Sequence, residues 1–136
     1  MPDTPERLSQ MPTAPFDQLV GLEYTSVTPE GVSASLTITE NLLQPNGIVH
    51  GGVYCSVVES VASVSGYIWR ANVLGEESAV VGVNNNTDFL RAISSGTLTA
   101  TSTPIHRGRR QQLWLVTITD DEGRTIARGQ VRLQNL

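Results

Sequence analysis

Residues 46–69 read Asn46-Gly-Ile-Val-His-Gly-Gly-Val-Tyr-Cys-Ser-Val-Val-Glu-Ser-Val-Ala-Ser-Val-Ser-Gly-Tyr-Ile-Trp69. The pair Gly51-Gly52 behind His50 opens what reads as one long helix, and Glu59 is its single charge. The first turn of a helix leaves N–H groups free to bind an anion or a developing oxyanion. Glycine at that point lets a ligand come close to the backbone. A lone carboxylate on an otherwise apolar helix is costly inside a protein unless it is paired or used. These are the two features with chemical consequence. Other chemistries lack their parts: two histidines and one cysteine show no metal-ligand spacing, and no Gly-x-Ser-x-Gly elbow is present.

The elements around this stretch must position it. From Val53 to Ile68 every side chain but Glu59 is apolar, small or hydroxylic. No charged face is left for water, so the helix should be wrapped by other structure with Glu59 inside. Residues 16–22 suit a short helix or turn. Residues 22–28 and 32–39 read as a hairpin about Pro29-Glu30-Gly31, and Val32, Ala34, Leu36 and Ile38 alternate with Ser33, Ser35, Thr37 and Thr39. A loop over 40–49 leads to the helix, which should run to 70–73. Strands follow over 78–89, 97–106, 111–119 and 125–133, with Arg107–Arg110 as a hairpin tip. Asn84, Asn85 and Asp88 read as satisfying one another across a strand, with Asn86 set apart from them. The order is hairpin, long helix, meander. An α+β sheet curled around one helix accounts for the helix's all-round apolarity.

A chain of 136 residues suits one domain with a real core, expected over 16–136. The proline- and polar-rich stretch 1–15 reads as a loose arm rather than a signal peptide or membrane anchor. Cys55 is the sole cysteine, which precludes an internal disulfide and fits a reducing, cytoplasmic compartment. On the apolar helix it reads as a buried structural thiol. The serines and Glu59 argue against a membrane span. Net charge is −4, unevenly spread: residues 1–90 carry ten acids and two arginines, residues 91–136 seven arginines and three acids, and there is no lysine. Nucleic acid is disfavoured at that charge. A local arginine cluster suits a small phosphorylated ligand.

His50-Gly51-Gly52 with an acid nine positions after the histidine resembles the hotdog-fold acyl-CoA thioesterases of the phenylacetate-pathway and 4-hydroxybenzoyl-CoA type. The similarity extends over residues 16–135, and Asn86-Thr-Asp-Phe-Leu-Arg91 and His106-Arg-Gly-Arg109 fall where that family has similar segments. The resemblance implies a hotdog fold, a curved antiparallel sheet wrapped around one central helix. It implies hydrolysis of an acyl-CoA to free acid and coenzyme A without cofactor or metal, by a homodimer that commonly pairs into a homotetramer. In the 4-hydroxybenzoyl-CoA enzymes a glutamine six residues before the histidine and a hydroxyl four after the acid assist; Gln44 and Ser63 stand there. The phenylacetate-type enzymes carry an asparagine and an aspartate at the corresponding places, so the Gln44/Glu59 pair leans toward the first group. Candidate substrate contacts on the same grounds are Asn46, Gly52, Asn86 and Arg91, with Arg107, Gly108 and Arg109 toward the nucleotide phosphates of coenzyme A. Related hydratases resemble one another in an Asp and a His five residues apart; the fifth residue after Asp88 is Ile93, which disfavours that chemistry.

Gly51 and Glu59 lie eight residues apart, roughly 12 Å along a helix that rises about 1.5 Å per residue. One thioester carbonyl cannot meet both. If both act together, two copies must set their helices side by side and opposed, giving two shared sites per dimer. The Gly51 N–H would polarise the carbonyl, and the other chain's Glu59 would activate water or attack directly. Ser63 is one turn beyond Glu59 and could hold that water. His50 either pins the loop to the helix start or takes a direct part. Aromatic and medium-chain acyl groups both fit. Two rivals are a non-catalytic acyl-CoA-binding hotdog protein and a purely structural oligomeric module.

Overall fold

The computed structural model describes residues 14–136, so residues 1–13 of the expected arm lie outside the described residues. A short helix α1 (Pro15–Val20) leads into strands β1 (Leu22–Thr28) and β2 (Gly31–Thr37). A 3-10 turn (Glu40–Leu42) precedes the long helix α2 (Gly51–Trp69), which ends in a π-helical turn (Arg70–Leu74). Strands β3 (Val80–Phe89), β4 (Thr97–Arg107), β5 (Gln111–Thr119) and β6 (Thr125–Asn135) complete the chain. All six strands form one antiparallel sheet in the order β1-β2-β4-β5-β6-β3, with α2 packed against it. This is the expected hotdog arrangement.

The simple meander after the helix is corrected. β3 does not pair with β4. It pairs with β6 at the far edge of the sheet, while β4 joins β2 with Leu36 opposite Leu98. That exchange lets the first hairpin and the β4-β5-β6 meander share one continuous surface. Its inward positions bury Leu36, Trp114, Val116, Ile118, Val131 and Leu133 against α2. Full burial of each such aliphatic side chain stabilises the fold by about 1.5–3 kcal/mol.

Polar ties fix the helix on this surface. Gln112 is fully buried; its Nε2 donates to the Gly66 carbonyl (3.2 Å) and to Asn135 Oδ1 (2.8 Å), and its Oε1 accepts from Trp114 Nε1 (2.8 Å). Ser65 and Ser102 share a hydroxyl hydrogen bond of 2.7 Å, and Ser102 accepts from the Val32 N–H at 2.8 Å. Buried polar groups that are fully satisfied in this way specify one docking of the helix. At its far end Arg70 meets Glu76 at 3.0 Å and the Ala79 carbonyl at 3.2 Å.

The helix is not wrapped all round, contrary to the expectation from its composition. One sheet covers one side of a helix, and the other side of α2 keeps a strip of Gly52, Cys55, Ser56, Glu59 and Ser63 partly open. Glu59 and Cys55 are accordingly half-buried, not interior. No helix among the described residues is long and apolar enough to cross a membrane.

Candidate active site

The start of α2 is built by the loop before it. Leu43 bridges Val49, His50 N–H donates to the Leu42 carbonyl (2.9 Å), and Val49 N–H donates to the Ile93 carbonyl (2.9 Å). The loop also closes on itself. Gln44 N–H donates to the Ile48 carbonyl (2.8 Å), and Gln44 Oε1 accepts from the Asn46 N–H. Asn46 is thus an exposed turn residue.

His50 is the N-cap of the helix: its Nδ1 accepts from the Gly52 N–H at 2.8 Å, and its carbonyl accepts from the Val53 N–H at 3.0 Å. A ring nitrogen that accepts carries no proton, so the ring proton is on Nε2. The capping leaves one amide over. Among the described residues the Gly51 N–H has no acceptor, and it sits at the positive end of a 19-residue helix. The Gly52 N–H, by contrast, is taken by His50.

Gly51 lines a cleft of about 300 Å³ together with Gln44, Ile48, Tyr54, Phe89 and Arg91, among others. The Phe89 ring lies 5.7 Å from the Tyr54 ring and covers Gly51 so closely that a Cβ there would overlap it. Gln44 and Arg91 of the expected set therefore meet Gly51 in one place.

Glu59 faces β3. Its Oε1 accepts from Asn85 Nδ2 at 3.3 Å, and its carboxylate rests on Gly82, where a Cβ would overlap it. Ser63 follows on the same half-open strip. Within one chain Gly51 and Glu59 remain separated by about 12 Å of helix. The described chain does not bring them together.

The arginine hairpin is corrected in part. β4 runs through Arg107, whose guanidinium lies 5.5 Å from the Trp69 ring and 5.9 Å from the Trp114 ring and donates to the Pro29 carbonyl at 3.4 Å. Its contacts with the two indole rings hold it at the end of β4 rather than at the hairpin tip. The tip carries Gly108 and the exposed Arg109, whose carbonyls accept from Asn135 Nδ2. This end of the sheet lies by Trp69, some 27 Å along the helix from Gly51. Asn86 points away from Glu59, exposed and opposite Gln130.

Sequence reasoning missed Asn85, Thr87, Gly82 and Phe89. Asn85 was read as satisfied across the strand. Instead its Nδ2 reaches the Cys55 carbonyl (3.0 Å) as well as Glu59, and its Oδ1 accepts from Thr87 Oγ (2.7 Å). The cause is an irregularity in the β3–β6 register between Gly82 and Asn84, which carries Asn85 and Thr87 inward while Val81 and Val83 stay exposed. A glycine followed by a polar run within a strand is the available signal for such a bulge.

The family model described as the thioesterase superfamily matches residues 46–127, from the turn before the helix to β6. The chain belongs to the thioesterase superfamily. It is 58% identical over 135 residues to Rv1847 of Mycobacterium tuberculosis, a protein whose name gives it provisionally as an esterase, covering 99% of this chain and 94% of that one. The solved structure of Rv1847/MT1895 superimposes with a TM-score of 0.86, covering 90% of this chain and 97% of that one. The thioesterase HI1161 from Haemophilus influenzae gives a TM-score of 0.87 at 29% identity, covering 98% of this chain and 91% of that one. The proofreading thioesterase EntH of Cronobacter turicensis is 29% identical over 121 residues, 89% of this chain and 85% of its own. Family and relatives together support thioester hydrolysis as the chemistry of this hotdog protein.

Proposed function

We propose that the protein hydrolyses an acyl-CoA thioester, with an aromatic or medium-chain acyl group, to the free acid and coenzyme A. The site is shared between two copies whose central helices lie opposed, and the dimers pair into a tetramer. The Gly51 N–H of one copy donates to the thioester oxygen as it gains charge. Glu59 of the other either takes a proton from the attacking water or attacks the carbonyl itself to give an anhydride that water opens. In either route a C–O bond forms, the C–S bond breaks, and the departing thiolate takes up a proton. Gln44 supports the carbonyl side and Ser63 holds the water. Arg91 contacts the substrate in the cleft beside Gly51, and Arg109 at the β4–β5 hairpin tip faces the phosphates of coenzyme A.

One observation carries this reading: the helix caps itself through His50 in a way that spares the amide of Gly51, a residue that lines an apolar cleft. The Gln44/Glu59 pair supports a 4-hydroxybenzoyl-CoA type of site. The test is thiol release from a panel of aromatic and aliphatic acyl-CoAs with wild-type protein and Glu59→Gln in parallel. Turnover lost in the variant, with ligand binding kept, is the expected result. Undiminished turnover in Glu59→Gln would sink the assignment of that residue, and binding without turnover in wild type would favour an acyl-CoA-binding protein.

A further inference from the structure

Asn85 faces α2 from the middle of β3 with both amide hydrogens and its oxygen engaged. Its two Nδ2 hydrogens go to the Cys55 carbonyl and to Glu59 Oε1, and its Oδ1 receives the Thr87 hydroxyl. Turned over, the amide would set its oxygen against a carbonyl and a carboxylate, three acceptors with no donor among them. The donor pattern therefore permits one orientation. Space is arranged to match: Gly82 makes room for the Glu59 carboxylate, and Gly129 on β6 makes room for Thr87 Oγ, since a Cβ at either place would overlap those atoms.

We infer that Asn85, oriented by Thr87, is the positioning residue for Glu59. It fixes the carboxylate through Oε1 while Oε2 is seated against Gly82, so the group is held in one orientation toward the water or the thioester carbon. This rests on the reading that Glu59 acts in hydrolysis. An exposed glutamate has three free torsions, and half of this side chain faces the open strip of the helix. Without a donor on Oε1 the carboxylate swings away from any fixed reaction path, and displacement of about 1 Å can cost on the order of 10²-fold in rate. The second Nδ2 hydrogen, on the Cys55 carbonyl, keeps the amide one helical turn from the base it serves.

The experiment compares wild type, Glu59→Gln, Asn85→Asp, Thr87→Val and Thr87→Ser by kcat and KM on the best acyl-CoA of the panel, with thermal melts alongside. Asn85→Asp keeps the shape, removes both donors and sets a second carboxylate beside Glu59, so that nothing holds the base in place; kcat should fall by about 10²-fold with KM little changed. Thr87→Val should lower kcat less and in the same direction, and Thr87→Ser, which restores the hydroxyl, should recover it. Should Asn85→Asp fail to fold, the threonine pair still decides. Wild-type kcat in Asn85→Asp and Thr87→Val, with Glu59→Gln dead, overturns the inference while leaving the hydrolase standing. A fall in melting temperature with kcat unchanged also overturns it, since Asn85 then only ties β3 to α2. Absence of wild-type turnover across the panel removes the proposed function and this inference with it.

Discussion

Replacing Gly51 by proline removes one hydrogen atom of consequence, and replacing it by alanine is the matched control. Gly51 is the first residue of α2, where the helix needs no N–H and proline's fixed φ is already helical. His50 before it has φ −63° and ψ 134°, the extended conformation a following proline requires. The His50 cap on Gly52 and the Val53 bond to the His50 carbonyl both survive. Both variants bring a Cβ that pushes on the Phe89 ring, and that ring, 55% exposed, is free to swing aside. Their difference is therefore the amide proton and the two ring carbons that proline puts in its place. Because the Gly51 N–H has no acceptor among the described residues, its loss leaves folding stability unchanged. The loss shows only in the transition state, where one oxyanion donor contributes about 10²–10³ in rate, or roughly 2.7–4 kcal/mol. Steady-state thiol release should give a kcat for Gly51→Ala exceeding that for Gly51→Pro by this factor, with closely similar melting temperatures. Equal kcat values in two well-folded variants would refute the role of the helix-start amide.

Mixing Gly51→Pro with Glu59→Gln tests sharing. Each variant is inactive alone, but a mixed dimer holds one intact site, so subunit exchange should restore about a quarter of wild-type activity; no recovery despite demonstrated exchange would place both groups in one chain. His50→Ala removes the cap and should destabilise by ~1 kcal/mol, read by urea denaturation. His50→Asn restores a capping side chain, and it should keep kcat if the histidine only caps; kcat lost in the stable Asn variant would make His50 a direct participant. For Asp120, burial works to raise the carboxyl, but hydrogen bonds from the Arg124 and Glu122 N–H groups and the Arg124 guanidinium prevail and hold it below the ordinary carboxylate value. Its stabilisation is present above the unfolded value of about 4 and is lost as pH falls through the folded value. Melting temperature followed downward from about pH 5 should drop less steeply in Asp120→Asn than in wild type; identical slopes would remove this turn from the acid response.

The strands and helix were legible because their signals are local. Val32, Ala34 and Leu36 alternate with hydroxyl residues and are buried at alternate positions as that period requires. Gly51-Gly52 marks the helix start because a paired glycine after an N-cap has a local meaning. The acid nine residues after His50 was equally plain, since sequence spacing along a helix is distance. The sites read from local chemistry alone fared unevenly. His50 as a pin for the loop was one of two readings, and the capping bond to Gly52 supports it. The contacts of Arg107 with Trp69 and Trp114 were not legible, because nothing nearby in the sequence announces either ring.

What the sequence determined by itself, then, was the family of shapes and the candidate pair on one helix, Gly51 at its start and Glu59 two turns further on: periodicity and helix-start chemistry are properties of a few consecutive residues. Only the tertiary structure decided that β3 leaves its neighbour in sequence to lie at the sheet edge beside β6, and that a register irregularity there turns Asn85 and Thr87 inward. It also decided that the chain's own sheet covers only one side of α2, with Glu59 on the other side held by an asparagine 26 residues away. Those facts depend on which strands meet and in what register. Register is set by packing across the whole sheet, where a shift of one residue exchanges inward and outward faces, so no local pattern contains it.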